Sequence, residues 1–280
     1  MSAALKAVES EDPVSEPDHI ENLKIATYAE TGGRKTLQIG HLIERFGSDN
    51  VGIISAEHGL GTIASLVMKD QVQEVTSMAE LRSAYMWAKQ KYTGRDQWVC
   101  VDGGSRVLQW IRDDIFVNVQ RAYDAILDGT KPQDLDASIR PYARFVTARG
   151  EVDTMQIWIR TGMETERLLN SFVRLNCSIY WTFWQEQTNV DQYTKGLPWK
   201  PDTPGKGPLD AVKSAFDFIM RLVRDPSDPE KTVAQCSDSS KVYYAKHRDD
   251  WRAGIKVPDE IRDFNLADFV ERVRGKGFGA

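Results

Sequence analysis

The sequence predicts an α/β fold, a mainly parallel sheet with helices on both faces, and two observations predict it. Short apolar runs alternate along the chain with longer segments whose apolar residues recur at helical spacing. The chain is also long enough: 280 residues, 41% of them hydrophobic and 28% charged, suffice for one large α/β domain or one domain with a small appendage. Ligands of such sheets bind beyond the carboxyl ends of the strands. The residues directly after each apolar run are therefore where function is sought.

Taken in order, residues 1–20 are rich in Glu, Asp, Ser and Pro (among them Glu9, Glu11, Asp12, Pro13, Glu16 and Asp18). Such a stretch buries no apolar area and is expected to be a disordered acidic tail, leaving 21–280 as the folded domain. Residues 23–28 read as a strand. Residues 35–46 read as a helix with Leu37, Leu42, Ile43 and Phe46 on one face and Gly47 as its stop. Residues 51–56 are a second strand, and 78–92 a helix with Leu81, Tyr85 and Ala88 in register. Residues 98–101 form a third strand ending in Asp102, and a long helix runs from about 106 to 127. Residues 128–150 hold Gly129, Pro132, Pro141 and Gly150 and read as a loop or insertion. A helix over 155–175 precedes an aromatic, β-branched strand over 178–184. Residues 185–208 read as a polar loop, long enough to suspect a function. Strands are expected over 216–223 and 241–245, and a terminal helix over 265–274.

Composition narrows the function classes. No apolar run reaches the ~18 residues of a membrane-spanning helix, and the N-terminus lacks the basic start and apolar stretch of a secretory signal. A cytoplasmic protein without membrane partners is expected. Cys100, Cys177 and Cys236 are far apart and form no C-x-x-C pair, which argues against a disulfide framework or a zinc site. The net charge of −5 excludes a strongly basic nucleic-acid coat.

The first strand runs into Ala29-Glu30-Thr31-Gly32-Gly33-Arg34-Lys35-Thr36. The phosphate-loop pattern G-x-x-x-x-G-K-[ST] lies between a strand and a helix. Lys35 and Thr36 hold its last two positions, while Ala29 and Arg34 replace its glycines. Backbone N–H groups at a helix N-terminus attract phosphate, Lys35 would reach the β- and γ-phosphates of ATP, and Thr36 would ligate Mg²⁺. The alternative is a Gly-Gly turn ahead of an amphipathic helix whose Lys-Thr is incidental.

Three further strand ends carry chemistry. Glu57, after the second strand, suits a base that orients or deprotonates an attacking water, or is an ordinary exposed acid. Asp102 suits the carboxylate of a Mg²⁺ shell, or simply starts a turn. Gln185, after the aromatic strand, suits an amide that senses the γ-phosphate and moves the loop behind it, or an ordinary polar end. Late in the chain, Lys246 and Arg248 suit cations that complete a neighbouring subunit's site, or a solvated basic turn.

In this order the motifs resemble the RecA/RadA superfamily, and more closely the phage-encoded RecA-like ATPases of single-strand annealing and recombination. The resemblance spans roughly residues 23–275 and is carried by short motifs, of which Ile54-Ser55-Ala56-Glu57-His58 is the most specific; Lys246 to Arg248 resembles the K-x-R motif near the end of the RadA type. It implies a RecA-like P-loop NTPase core that binds ATP with Mg²⁺, with Lys35, catalytic base Glu57, metal-shell acid Asp102 and switch residue Gln185. It also implies that Lys246 and Arg248 act in trans within a ring or filament, and that the loop after Gln185 approaches single-stranded DNA in phage recombination or replication. The chain departs from the family at Ala29 and Arg34, which puts hydrolysis in doubt more than binding.

For that DNA surface the candidates are Lys195, Trp199, Lys200 and Lys206, where cations stand with aromatics as single strands require; Glu186, Asp191 and Asp202 oppose their charge. A second candidate is Arg140, Arg144, Arg149 and Arg160. Two other functions stay open: a nucleotide-binding scaffold with little turnover, and a P-loop small-molecule kinase, which needs an Arg-rich lid and no Glu57.

Overall fold

The computed structural model describes residues 22–147, 149–187, 199–237, 243–247 and 256–278. The expected tail over 1–20, Lys195 and Arg248 lie outside the described residues. In chain order the elements are β1 (Lys24–Ala29), α1 (Lys35–Phe46), β2 (Val51–Ser55), β3 (Val72–Glu74), α2 (Met78–Lys91), β4 (Trp98–Asp102), α3 (Gly104–Leu127), α4 (Thr154–Val173), β5 (Ser178–Gln187), β6 (Trp199–Pro201), α5 (Lys206–Ala215), β7 (Phe218–Asp225), β8 (Asp228–Gln235), β9 (Lys246–His247), β10 (Glu260–Ile261) and α6 (Leu266–Glu271).

The strands form one sheet in the order β10-β8-β7-β1-β5-β4-β2-β3, with β6 on β5 and β9 on β7. From β7 through β3 every pairing is parallel. The antiparallel pairs are β7–β8, β8–β10, β5–β6 and β7–β9. The expected fold, a mainly parallel sheet with helices on both faces, is borne out. Strand alternation explains the layers. Ala26, Tyr28, Val99, Val101, Trp181 and Phe183 point to one face, where α2, α3, α4 and α5 cover them. Leu23, Ile25, Ile53, Cys100 and Tyr180 point to the other, under α1 and α6. Every residue of β1, β2 and β4 is buried, as strands covered on both faces must be.

Local chemistry sets several boundaries. Ser77 Oγ caps α2 by accepting from the Glu80 N–H, and the Glu80 carboxylate accepts from the Thr76 N–H, closing the first turn from both sides. Asp153 caps α4 and Asn265 caps α6 in the same way. Gly104 begins α3 because β5 passes so close there: a Cβ would lie 2.8 Å from Phe183 and 2.9 Å from the Thr182 carbonyl.

Two expectations are corrected. Residues 185–208 are not one loop: β5 continues to Gln187, β6 returns antiparallel to it, and α5 begins at Lys206 with Pro208 in its first turn. Residues 241–245 are not a strand in their described part, since Tyr243 makes only an isolated bridge to Trp199 and the strand follows at Lys246–His247. Within 128–150 the chain forms two short 3-10 turns, at Pro132–Asp134 and Arg140–Phe145. Among the described residues no helix is long and apolar enough to cross a membrane.

Candidate functional site

The parallel register brings four strand ends level. Ala29 pairs with Trp184 across β1–β5, Val101 with Trp181 across β4–β5, and Ser55 with Asp102 across β2–β4. The loop over residues 30–34 therefore opens at the same edge as Glu57, Asp102 and Gln185. Within it the Gly33 N–H donates to the Glu30 carbonyl at 3.0 Å. A Cβ on Gly33 would stand 2.5 Å from that of Ala29 and 2.9 Å from the Glu30 carbonyl, so only glycine fits that turn. Arg34 adopts the left-handed conformation (φ 62°, ψ 25°) as the N-cap residue of α1. That conformation costs a side-chain-bearing residue about 1–2 kcal/mol relative to the right-handed one. The Arg34 guanidinium leaves the loop and pairs with Glu230 on β8.

Lys35 is buried, and its Nζ donates to the carbonyls of Ala29 and Glu30, each at 3.1 Å. Burial lowers its pKa, and the nearby Glu57 and Asp102 carboxylates pull it back up. Thr36 Oγ1 donates to Asp102 Oδ2 at 3.1 Å, and Thr182 Oγ1 donates to Asp102 Oδ1 at 2.7 Å. The Gly103 N–H in turn donates to Thr182 Oγ1 at 3.0 Å. Burial, partly offset by these hydroxyl donors, pushes the Asp102 carboxyl above the usual carboxylate range. Glu57 rises as well, first from burial and then from Asp102, while a hydrogen bond from the Trp184 indole works in the opposite direction. Its Oε1 is buried with no hydrogen-bond partner among the described residues. It lies over Gly103, whose φ of 101° and missing Cβ leave room for it; a Cβ there would be 2.7 Å from Glu57 Cγ.

The candidate switch residue bridges two elements. Gln185 Nε2 donates to Glu30 Oε1 at 3.1 Å, and its Oε1 accepts from Arg221 Nε at 2.7 Å. The Arg221 guanidinium also donates to Gln235 Oε1 and lies 4.7 Å from the ring centre of Trp199. Sequence reasoning missed Thr182, Trp184, Arg221, Arg224 and Glu230. The first two sit inside an aromatic strand that reads as core, and the others reach Gln185 or the loop only through the fold.

The remaining candidates stand apart from this edge or are engaged elsewhere. Lys246 Nζ donates to the carbonyls of Lys213 and Phe216, at 2.6 and 2.7 Å, closing the C-terminal end of α5. Lys200 pairs with Glu186 at 3.1 Å, Trp199 lies under Arg221, and Lys206 is exposed at the start of α5. In the second basic group, Arg140 donates to the Leu135 carbonyl, Arg144 lies over the Phe145 ring and Arg160 pairs with Glu164. Among the described residues no cluster of three or more His, Cys, Asp or Glu side chains could hold a metal by itself.

No protein-family model matches the sequence, and no curated protein matches it. Solved structures similar to it in fold include two of these descriptions. One is described as a prototypical ATPase from the type III secretion system of pathogenic bacteria, with a TM-score of 0.39 and 14% identity over 80% of this chain and 65% of that one. The other is the RadB recombinase, with a TM-score of 0.39 and 14% identity over 85% and 86% of the two chains. The chain thus spans less than two thirds of the secretion ATPase it matches. Likenesses this distant carry no argument about what the chain does.

Proposed function

We propose that this chain is a RecA-like P-loop protein that binds ATP with Mg²⁺, hydrolyses it, and acts on single-stranded DNA. The observation that carries the nucleotide reading is the convergence on Lys35: its charge lies in the field of both Glu57 and Asp102, while its neighbour Thr36 is hydrogen-bonded to Asp102. Three residues at sequence positions 35, 57 and 102 meet only because three parallel strands end level. An incidental Lys-Thr would not bring a buried and a half-buried carboxylate with it.

The residues fit the implied metal. Mg²⁺ takes hard oxygen ligands and is held by one or two carboxylates together with substrate phosphates, and Thr36 Oγ1 and Asp102 supply one hydroxyl and one carboxylate. When bound it would neutralise charge on the β- and γ-phosphates. Lys35 exchanges two backbone carbonyls for phosphate oxygens. Glu57 presents a buried oxygen without a partner, raised in basicity by burial and by Asp102, to take the proton of the attacking water. The Trp184 indole N–H donates to the same carboxylate and favours its charged form. Gln185, held between Glu30 on the loop and Arg221, would sense a γ-phosphate through its amide.

The single-strand role, assembly into a ring or filament and a phage origin are supported by the sequence resemblance alone. A scaffold with little turnover is the second reading, favoured by Arg34 at a position where the pattern has glycine. A single experiment separates the two: phosphate release by wild type and Lys35→Ala, with and without single-stranded DNA. Turnover that rises with DNA and vanishes in Lys35→Ala supports the proposal. Tight ATP binding with no release supports the scaffold, and turnover indifferent to DNA removes the recombination role.

A further inference from the structure

The phosphate loop is stitched to the β7–β8 hairpin by two guanidinium groups running in opposite directions. Arg34 donates from the loop to both the backbone carbonyl and the carboxylate of Glu230, the latter at 2.6 Å. Arg224 donates from β7 back to the Gly32 carbonyl at 3.2 Å. Arg34 directly precedes Lys35, so its Cα stands about 3.8 Å from that of the lysine. The pairing carries the guanidinium onto the hairpin, and Glu230 cancels a positive charge that would otherwise stand beside the phosphates.

The partner is weakly committed. The Glu230 side chain is 88% exposed, and an ion pair that open to water is held loosely. A guanidinium grips phosphate oxygens through paired, charge-assisted hydrogen bonds. We propose that Arg34 and Glu230 form an exchangeable clasp that sets the affinity of the loop for the polyphosphate of a nucleoside triphosphate, Glu230 competing with phosphate for the guanidinium. The clasp rests on the reading of this loop as a phosphate site. When a triphosphate enters, Arg34 gives up Glu230 and turns to it, while the Arg224–Gly32 bond keeps the hairpin in place. Glu230 thereby sets affinity without touching the nucleotide.

The test is equilibrium binding of a fluorescent ATP analogue with Mg²⁺ at low and moderate salt, to wild type, Glu230→Gln, Arg34→Asn, the double variant, Glu230→Asp and Lys35→Ala. Asn is chosen because it tolerates the left-handed conformation. Glu230→Gln is expected to bind roughly two- to fivefold more tightly, the size of an exposed ion pair, with a steeper salt dependence; Glu230→Asp returns the affinity to the wild-type value. Arg34→Asn binds more weakly, and adding Glu230→Gln to it changes nothing. The clasp is overturned if Glu230→Gln is neutral or weaker while wild type binds and Lys35→Ala does not. It is equally overturned if Glu230→Gln tightens binding in the Arg34→Asn background, since Glu230 then acts through its charge alone. If neither wild type nor Lys35→Ala binds the analogue, the nucleotide reading itself falls and takes the clasp with it.

Discussion

Glu57 and Asp102 stand near each other at the carboxyl edge of the sheet, and both carboxyls are held above their usual range, chiefly by burial. A carboxyl whose pKa is raised by folding opposes folding once it ionises. That cost is absent below the ordinary carboxylate range, grows as pH rises through it, and is complete above the raised value. Glu57→Gln removes the cost at neutral pH together with the base. Solvent screening at this half-buried group keeps the gain small, about 1–2 °C in Tm, whereas hydrolysis is expected to fall about 10²- to 10⁴-fold with ATP binding retained. Calorimetry and phosphate release on the same preparation check both; a variant that loses stability and binding together would mark Glu57 as structural. If Glu57 is the base, wild-type turnover is expected to fall on acidification at a higher pH than an ordinary carboxylate would give, since burial raises its pKa. Gly33→Ala tests the loop itself: its methyl would stand 2.5 Å from the Ala29 Cβ, so the turn must open, and nucleotide binding is expected to drop at least tenfold by titration. At this scale the sequence singled out Lys35, Thr36, Glu57 and Asp102, which lie at strand ends or at the start of the helix that follows one, and which the structure brings to one edge. It was silent on Thr182, Trp184 and Glu230, ordinary residue types whose partners lie 80, 127 and 196 positions away.

Among the elements, those buried on both faces were the readable ones. The runs that became β1, β2, β4 and β5 are apolar over most of their length, and α1 matches its expected bounds because Gly47 stops it. The edges were not readable. In β8 only Thr232, Val233 and Ala234 are buried, so its sequence shows a charged stretch rather than a strand. In α5, Pro208 and two glycines at the start mask a helix whose buried face is only Pro208, Ala211 and Val212; proline in a first turn costs no backbone hydrogen bond. The far end of α5 is closed by Lys246, which donates to two terminal carbonyls. Lys246→Met removes both bonds and keeps the apolar stem. The loss is expected to be about 1–2 kcal/mol, a Tm lower by roughly 2–6 °C. A thermal melt distinguishes this from action on a neighbouring subunit, which predicts unchanged Tm and turnover lost in proportion to assembly.

Over the whole molecule, the sheet separates two cores, and the candidate site lies where both meet solvent. β1 runs between β7 and β5 with Ala26 and Tyr28 in one core and Leu23, Ile25 and Ala29 in the other. The loop that leaves it leads into α1, while β4 leads into α3 on the opposite face. A ligand held by Lys35, Thr36 and Asp102 therefore fastens helices from both layers to one point. On the proposed reading it would also offset part of the cost of burying the Lys35 charge, since phosphate oxygens would partner the ammonium. Such a ligand binds the folded chain and not the unfolded one, and stabilises it by RT ln(1 + [L]/Kd), about 2.7 kcal/mol at a hundredfold excess over Kd. For a chain of this size the shift in Tm is roughly 5 °C. Melting wild type with and without ATP and Mg²⁺ should show that shift. Lys35→Ala should lose it while keeping the fold, because the truncated side chain leaves its two backbone carbonyls next to the phosphates. A shift of equal size in Lys35→Ala would place nucleotide binding somewhere other than this strand edge.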